Sequence, residues 1–413
     1  MKGLTMRERQ AVTAQTAPKY RKAGKKKKKG EKLDQFVELT GYNRKYAIFL
    51  LQNWGKRRVV KIDGELVEIV VGSVRKKKRK PREKIYGSRE KKALKKVWLI
   101  FDCPCGKRLV PLLRTMLPVL ENFGEIDLDE RTRANLQHIS AATIDRLLKQ
   151  EKNRLQFRGR THTRWGSLMK HQIPIRTFGD WDEKKPGYAE LDLVGHDGGN
   201  TKDDHAFTLN LTDVDTGWTE LAAIQNKAQV WTVEALDSIK KRLPFPLLGI
   251  DTDNGSEFLN AHLIRYTEKH GIQFTRSRPY RKNDSCFVEQ KNNSVVRRYV
   301  GYLRYDSPQE IQRLNELYGW LRLYVNFFQP SAKLMSKTRE GSKVKKRYDE
   351  PKSPYQRVID SAHVSQECKQ KLRDQFVTLN PAELHRKILR LQGKLLQMVR
   401  EKQSGGLKKA GGL

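Results

Sequence analysis

Three acidic residues lie in positions where their carboxylates could act together. Asp192 lies in the segment YAELDLVGHDGG, Asp253 in LLGIDTDNGSEF and Glu289 in RKNDSCFVEQKNNSVVRR, and 35 residues separate Asp253 from Glu289. Carboxylates packed together repel one another and shift toward protonation, whereas hard Mg²⁺ or Mn²⁺ ions satisfy them through oxygen ligands. The pattern predicts a divalent-metal site, in which two ions can clamp the attacking and leaving oxygens of an in-line phosphoryl transfer.

Each acid also has an ordinary structural explanation. Asp192 could be a strand-end residue, Asp253 a turn residue before a helix and Glu289 a solvated helix acid. Their joint order and spacing favour a common site. Four nearby acids could instead be turn residues or could support the site without binding metal: Asp197, Asp213, Asp251 and Glu257.

The spacing resembles the D,D,35,E pattern of the retroviral integrases and the related insertion-sequence transposases. The segment DTDNGSEF fits the D-x-G-x-[EQ]-[FY] pattern of those proteins and selects Asp253 as the second acid, although Asp251 lies only two positions earlier. A later segment, YVNFFQP, resembles the Y-x-N-x-x-x-P sequence found after the glutamate in insertion-sequence transposases.

This resemblance implies a two-step reaction on double-stranded DNA. Water first frees a 3′-hydroxyl at an element end, and that hydroxyl then attacks a phosphodiester of the target DNA. Asp192 would bridge two Mg²⁺ or Mn²⁺ ions, Asp253 would be the other principal ligand, and Glu289 would hold the second ion. Two ends must be cut together, so a homo-oligomer on DNA is expected. The alternatives are a catalytically silent DNA-binding regulator and a metal-dependent nuclease that does not join strands.

The elements that must position these acids follow from residue periodicity. From residue 187 onward, the apolar and polar pattern predicts the order βββαβαβα. This is the order of the ribonuclease-H-like core of the integrase superfamily, a mixed five-stranded sheet with flanking helices, and the resemblance covers residues 187–330. Asp192 falls in the first strand, Asp253 follows the fourth, and Glu289 falls in the helix after the fifth.

Basic and amide side chains surround the third acid. Lys282 and Lys291 flank it, and helical spacing of four residues places Asn293 and Arg297 on the face of Glu289, where they could reach DNA. The relatives often carry a basic residue seven positions after the glutamate. In this chain that position is Val296, and Arg297 follows one residue later.

The overall charge favours a polyanionic partner. The 413 residues include 84 Lys or Arg and 47 Asp or Glu, for a formal net charge of +37. Such an excess suits nucleic acid. Basic runs at residues 25–29 and 75–80 are predicted to be flexible phosphate-binding segments. Four cysteines in a chain of this length form no disulfide framework, and no apolar run suggests a membrane span. We therefore expect a cytoplasmic protein. Its partner is expected to be DNA, with no small-molecule substrate.

Two all-α DNA-binding modules are predicted before the catalytic core. After a basic disordered leader (1–31), residues 32–85 contain a helix-turn-helix and a basic linker, with Asn43, Arg44 and Lys45 opening the second helix. Residues 86–150 form a second helical module that presents Thr143 and Arg146. The first module could instead be an ordinary helical hairpin, and the second a three-helix bundle without DNA contacts.

The remaining segments are predicted to be basic connections and a terminal helix. Residues 151–186 are a basic linker before the core. Residues 331–413 are a basic C-terminal region, and its final helix has an apolar stripe suited either to self-association or to packing on the same chain.

Overall fold

The fold comprises two compact units. The computed structural model describes residues 4–62, 64–72, 85–155, 175–176, 185–253, 258, 261–277 and 286–410. One unit is Met1–Glu83 and the other is Lys84–Leu413. Lys282 and the basic run at residues 75–80 lie outside the described residues. Among the described helices, none is sufficiently long and apolar to cross a bilayer.

The first unit is a three-helix bundle followed by a β-hairpin. Helices α1 (Met6–Lys22), α2 (Lys26–Thr40) and α3 (Arg44–Asn53) precede the antiparallel strands β1 (Arg57–Ile62) and β2 (Glu65–Val70). Helix α2 ends at Gly41, which adopts a left-handed conformation with φ of 69°, a geometry that glycine accepts without steric cost. The core of the bundle is small: Ala17, Tyr20, Leu33, Phe36, Ala47 and Leu51.

The prediction of a disordered leader over residues 1–31 was wrong. A capping box between Thr5 and Glu8 begins helix α1, and the buried side chains of Ala17 and Tyr20 fix it against the other two helices. The lysine run is not a flexible segment either, because Lys26–Lys29 form the first turn of α2. Successive helical positions point in different directions, so most of these ammonium groups reach solvent without packing against one another.

The second unit begins with a helical layer. Helices α4 (Ser88–Ile100), α5 (Gly106–Asn122), α6 (Glu130–Gln137), α7 (Ala141–Leu147) and α8 (Lys149–Arg154) precede the sheet. The Tyr324 hydroxyl donates to the Ile100 carbonyl at 2.6 Å, and the Gln329 amide donates to the Phe101 carbonyl at 3.0 Å. Residues 86–150 therefore share a core with the rest of this unit and do not form the separate module that the sequence predicted.

The central sheet has the predicted strand order. Its strands, listed in chain order, are β3 (Ile175–Arg176), β4 (Tyr188–Gly195), β5 (Phe207–Asp213), β6 (Thr219–Ile224), β7 (Gly249–Thr252) and β8 (Gln273–Ser277). In space they run β3-β8-β7-β4-β5-β6, with β4, β5 and β6 antiparallel and β7 and β8 parallel to β4. The five strands β4–β8 confirm the ribonuclease-H-like architecture. The short strand β3 adds a sixth, parallel position beside β8.

Helices cover both faces of the sheet. Helices α9 (Gln229–Lys240) and α10 (Ala261–Lys269) pack on the face that carries Leu191 and Ile250. The opposite face is covered by α11 (Cys286–Lys291), a π-helical segment (Asn292–Arg297), α12 (Arg298–Val300) and α13 (Pro308–Phe328). Side chains alternate between the two faces of a strand, so residues 190 and 192 of β4 face α11.

Helix α13 seals the edge of the sheet with two asparagines. Strand β6 is the outermost strand, so one row of its backbone groups lacks a neighbouring strand. The Asn315 amide accepts from the N–H and donates to the C=O of Ala223 at 2.8 and 2.9 Å. Asn326 makes the same pair of bonds with Thr219 at 2.9 and 2.8 Å. These side chains replace a missing strand at two points.

The C-terminal region contains a two-stranded ribbon and three helices. Strands β9 (Leu334–Glu340) and β10 (Lys343–Tyr348) are followed by α14 (Pro354–Asp360), α15 (Gln366–Thr378) and α16 (Pro381–Ala410). Leu384, Ile388, Leu391 and Leu395 of α16 are buried in the core that α13 shares. Of the two roles considered for the terminal helix, the structure shows packing on the same chain.

A buried carboxyl at the end of β5 gives the first prediction. Asp213 is fully buried and accepts from the Gly187 N–H at 2.8 Å and from the Thr216 N–H and hydroxyl at 2.6 Å each. Burial raises the pKa of Asp213 to about 6, against the lowering effect of these hydrogen bonds. The unfolded chain therefore releases this proton at lower pH than the folded chain does, so the folded state loses stability as pH rises from about 4 through 6.

The variant Asp213→Asn lacks this titrating group. As pH rises across this range, we expect the free energy of unfolding of the wild type to fall by about 2–4 kcal/mol more than that of the variant, since one pKa unit corresponds to about 1.4 kcal/mol. Chemical denaturation at pH 4.5 and 7.5 measures the difference. A constant difference between the two proteins would contradict the assignment.

Candidate metal centre

Strand β4 presents two carboxylates on the face covered by α11. Glu190 and Asp192 are two residues apart, so their side chains leave the strand on the same side. Leu191 points to the opposite face and is buried among apolar side chains. Glu190 is completely buried, whereas Asp192 is partly exposed.

Strand β7 repeats this arrangement beside β4. Glu190 pairs in register with Asp251, and Leu191 pairs with Thr252, the last residue of β7. Asp253 follows immediately, one position beyond the paired residues. The Thr275 hydroxyl on β8 donates to Asp251 at 2.6 Å. A buried row of polar groups therefore lies beneath the pair of aspartates at the strand ends.

Helix α11 carries the third acid, Glu289, over the part of the sheet where Asp192 and Asp253 lie. Glu289 lies in the middle of the helix and is exposed. The preceding backbone N–H, that of Val288, donates to the Glu190 carboxylate at 2.8 Å. Burial raises the pKa of Glu190 well above its ordinary value, and the Asp251 carboxylate raises it further. Glu190 thus attaches the helix that carries Glu289 to the strand that carries Asp192.

Asp192 interacts electrostatically with the other two predicted acids. Burial raises the pKa of Asp192 to about 7, and the carboxylates of Asp253 and Glu289 both contribute to the increase. Hydrogen bonds from the Leu193 N–H and from Asn292 act in the opposite direction. The fold therefore brings Asp192 within electrostatic range of Asp253 and Glu289, although the three are far apart along the chain.

The donor set fits a hard divalent cation. All three groups offer carboxylate oxygens, the ligands that Mg²⁺ and Mn²⁺ prefer. Asp192 accepts hydrogen bonds at both oxygens, yet a carboxylate offers about four acceptor sites, so lone pairs remain for a metal. Within the described part of the chain, no three His, Cys, Asp or Glu side chains converge tightly enough to hold an ion. The acids lie within electrostatic range without forming a closed ligand cage.

An asparagine that sequence reasoning overlooked orients the first acid. The Asn292 side chain donates to Asp192 Oδ2 at 2.5 Å, and it accepts from the Asn210 amide at 2.7 Å. Asn210 lies opposite Asp192 in the β4–β5 register. The E-Q-K-N sequence at residues 289–292 offered a signal, because a residue three positions after Glu289 lies on the same side of a helix.

A π-helical segment changes the expected helix face. Residues Asn292–Arg297 are wound as a π-helix, which accommodates one extra residue relative to an α-helix. The predicted four-residue alignment of Glu289, Asn293 and Arg297 is therefore incorrect. Arg297 donates to the carbonyls of Gly195 at 2.8 Å and Gly301 at 3.3 Å, so it connects β4 to the end of this helix.

The other basic residues near Glu289 are placed differently from one another. Lys291 is buried, and burial lowers its pKa to about 8, with Arg108 and Arg357 nearby. A buried ammonium does not form the exposed DNA contact that was predicted. Asn293 is exposed, which is compatible with such a contact. Lys282 lies outside the described residues.

Asn43, Arg44 and Lys45 of the first predicted helix-turn-helix lie at the start of α3, as expected. Asn43 caps α3 by accepting from the Lys45 N–H at 2.9 Å, and Arg44 pairs with Asp34. In the second unit, Arg146 donates to the Thr143 hydroxyl at 3.0 Å on α7. These contacts describe local structure, and the DNA-binding roles remain predictions.

The chain is similar to a known protein over most of its length. No protein-family model matches it. The uncharacterized protein y4rM of Sinorhizobium fredii is 41% identical over 327 residues, which cover 79% of this chain and 88% of that protein. The chain belongs to the same family as y4rM. The matched region is too long to be restricted to the smaller unit, Met1–Glu83.

Two solved structures match part of the chain at low similarity. The catalytic core domain of BIV integrase is 15% identical with a TM-score of 0.30, covering 43% of this chain and 96% of that one. The HTLV-2 integrase catalytic core domain, solved in complex with magnesium, is 15% identical with a TM-score of 0.27, covering 35% of this chain and 90% of that one. The fold assignment rests on the strand order and directions described above.

The hydrogen bond from Asn292 to Asp192 gives a prediction about metal affinity. We expect Asn292→Ala to weaken Mn²⁺ binding by about 10- to 100-fold, because a ligand that loses its orienting partner binds metal less well. Titration of the full chain followed by electron paramagnetic resonance measures this affinity. The neighbouring exposed residue provides the control, since Asn293→Ala should bind Mn²⁺ like the wild type. Equal affinities for all three proteins would rule out an orienting role for Asn292.

Proposed function

We propose that the protein is a transposase of the D,D,35,E type that cuts DNA at the ends of a mobile element and joins the ends to target DNA. The observation that carries this proposal is the placement of Asp192 on β4, Asp253 directly after the neighbouring parallel strand β7, and Glu289 on the covering helix α11. The strand ends and the covering helix are the positions at which the sequence resemblance expects the three acids. The relative y4rM is itself an uncharacterized protein, so membership of its family does not indicate an activity.

In this proposal Asp192, Asp253 and Glu289 hold divalent cations, Mg²⁺ or Mn²⁺. Bound cations would activate the attacking oxygen and neutralise charge on the phosphate that undergoes transfer. The chain supplies rigid placement: Asp192 is fixed by Asn292, and Glu289 is carried by a helix whose backbone is held by Glu190. Two ions per site would stabilise both the attacking and the leaving oxygens in each step.

The DNA partner is proposed from charge and from the helical modules. A net charge of +37 favours a polyanion, and binding through phosphates weakens as salt rises. In the first unit, Asn43, Arg44 and Lys45 begin α3, which we propose is the second helix of a helix-turn-helix, where base edges would be met. Around the acids, the exposed Asn293 is better placed for DNA than Lys291 or Arg297. Thr143, Arg146 and Lys282 remain candidate contacts.

A homo-oligomer is proposed from the reaction itself. Two element ends must be held and cut together, and one active site for each end is the simplest arrangement. The chain would act wherever the host DNA is located, which for a bacterial protein is the cytoplasm.

Strand transfer is the direct test. Labelled duplex DNA from the ends of the flanking element is incubated with the wild type and with Asp253→Asn, in Mg²⁺ and in EDTA. We expect cleaved and joined products from the wild type in Mg²⁺ and a loss of about 10³-fold or more in the variant, because loss of a metal ligand raises the activation barrier by several kcal/mol. EDTA should abolish both products.

The control variant carries the same aspartate-to-asparagine substitution at a residue outside the site. Asp203 is exposed with φ of 62°, a conformation that asparagine also accepts, so Asp203→Asn should retain full activity. Cleavage without joining would support a nuclease instead. Tight binding of authentic ends with neither activity would support a silent regulator.

A further inference from the structure

The C-terminal region projects a basic ribbon that no role assigned above uses. This ribbon comprises residues 334–348, the antiparallel strands β9 and β10 and their turn. Every residue of the two strands whose exposure is described is exposed, including the apolar Met335, Val344 and Tyr348. Two isolated strands are marginally stable in water. The ribbon therefore adds little to the core of its own chain.

The base of the ribbon is firmly attached. The Lys333 N–H donates to Asp349 at 2.6 Å, and the Asp349 N–H donates to the Lys333 carbonyl at 3.0 Å. Arg357 of α14 pairs with Asp349 at 2.7 Å, and Lys333 pairs with Asp215 beyond the end of β5 at 3.3 Å. The ribbon is thus an exposed arm with a fixed root.

Positive charge covers both faces of the basic ribbon. The register places Lys345 opposite Thr338 and Arg347 opposite Ser336 on one face, and Val344 opposite Arg339 on the other. Lys345 pairs with Glu340 at 2.8 Å, whereas Lys343, Lys346 and Arg347 have no ion pair within the described parts of the chain. These cations are available for an external anion. Ser336 and Thr338 add hydroxyl groups that can donate to phosphate oxygens.

We propose that the basic ribbon binds duplex DNA by entering its major groove. A two-stranded ribbon is one of the two elements that this groove admits, and charge on both faces suits a groove whose two walls are phosphate backbones. The choice of DNA over another polyanion rests on the proposed function. The arm would hold target or element DNA at a point fixed relative to the sheet edge, because its root is bonded to residues next to β5 and α14.

The test removes two ribbon charges and measures salt dependence. Binding of the full-length chain to a fluorescent 30-base-pair DNA duplex of arbitrary sequence is measured by anisotropy from 50 to 200 mM NaCl. Lys346→Gln with Arg347→Gln should lower the slope of log affinity against log salt by about 2, since each lost phosphate contact removes about 1. Over this salt range, that change corresponds to about a 16-fold smaller loss of affinity.

Matched variants separate the ribbon from general charge. Lys394→Gln with Arg400→Gln removes two exposed charges from α16 and should leave the slope unchanged. Swapping the cations, as Lys346→Arg with Arg347→Lys, should preserve it. An equal fall in the ribbon and α16 variants, or no fall in either, would overturn the proposal. So would an equal effect on duplex RNA, whose deep, narrow major groove excludes such an element.

The salt dependence of duplex binding is independent of catalysis. Asp253→Asn should bind the duplex with the wild-type slope, because its charge lies outside the ribbon. If the wild type cuts and joins DNA but the ribbon variant binds with an unchanged slope, only the proposed role of the ribbon is refuted. A lower slope for the ribbon variant, with no cutting by the wild type, would support the ribbon and count against the transposase.

Discussion

The parallel pairing of β4 with β7 is the constraint on which the candidate site depends. Because Glu190 lies opposite Asp251, the next residues on the same face of each strand are Asp192 and Asp253. The fold thereby concentrates four acidic side chains on two neighbouring strands. Such an arrangement is costly, since burial and like charge both oppose ionisation, and the raised pKa values of Glu190 and Asp192 express that cost.

The surrounding structure offsets part of this cost with directed hydrogen bonds. The backbone N–H of Val288 donates a hydrogen bond to Glu190, the hydroxyl of Thr275 donates to Asp251, and the amide of Asn292 donates to Asp192. These donors come from three different elements, so they also fix the positions of those elements. The α11 helix is held in this way over the strand ends, and the covering helix α13 fixes the far edge of the same sheet through Asn315 and Asn326.

Sequence reasoning predicted the parts of the structure that depend on local pattern. Alternation of apolar residues gave the strands, and the spacing of Asp192, Asp253 and Glu289 placed each acid on its element. It failed where tertiary contacts decide. The lysine run in α2 is helical because Leu33 and Phe36 farther along that helix are buried, and residues 86–150 joined the larger unit because their apolar faces pack against the core shared with α13 and α16. No local signal reveals the π-helical turn that redirects Arg297 toward Gly195, or the burial of Lys291.

The central claim is that Asp192, Asp253 and Glu289 together hold a divalent cation. The most direct measurement is a crystal structure of the chain with Mn²⁺, using anomalous scattering to locate the ion. The account predicts a peak about 2.0–2.6 Å from oxygens of both Asp192 and Asp253, the range of hard-cation ligation, and its absence in crystals of Asp253→Asn. A saturating Mn²⁺ concentration that leaves no peak between these carboxylates, or a peak that persists in the variant, would contradict it.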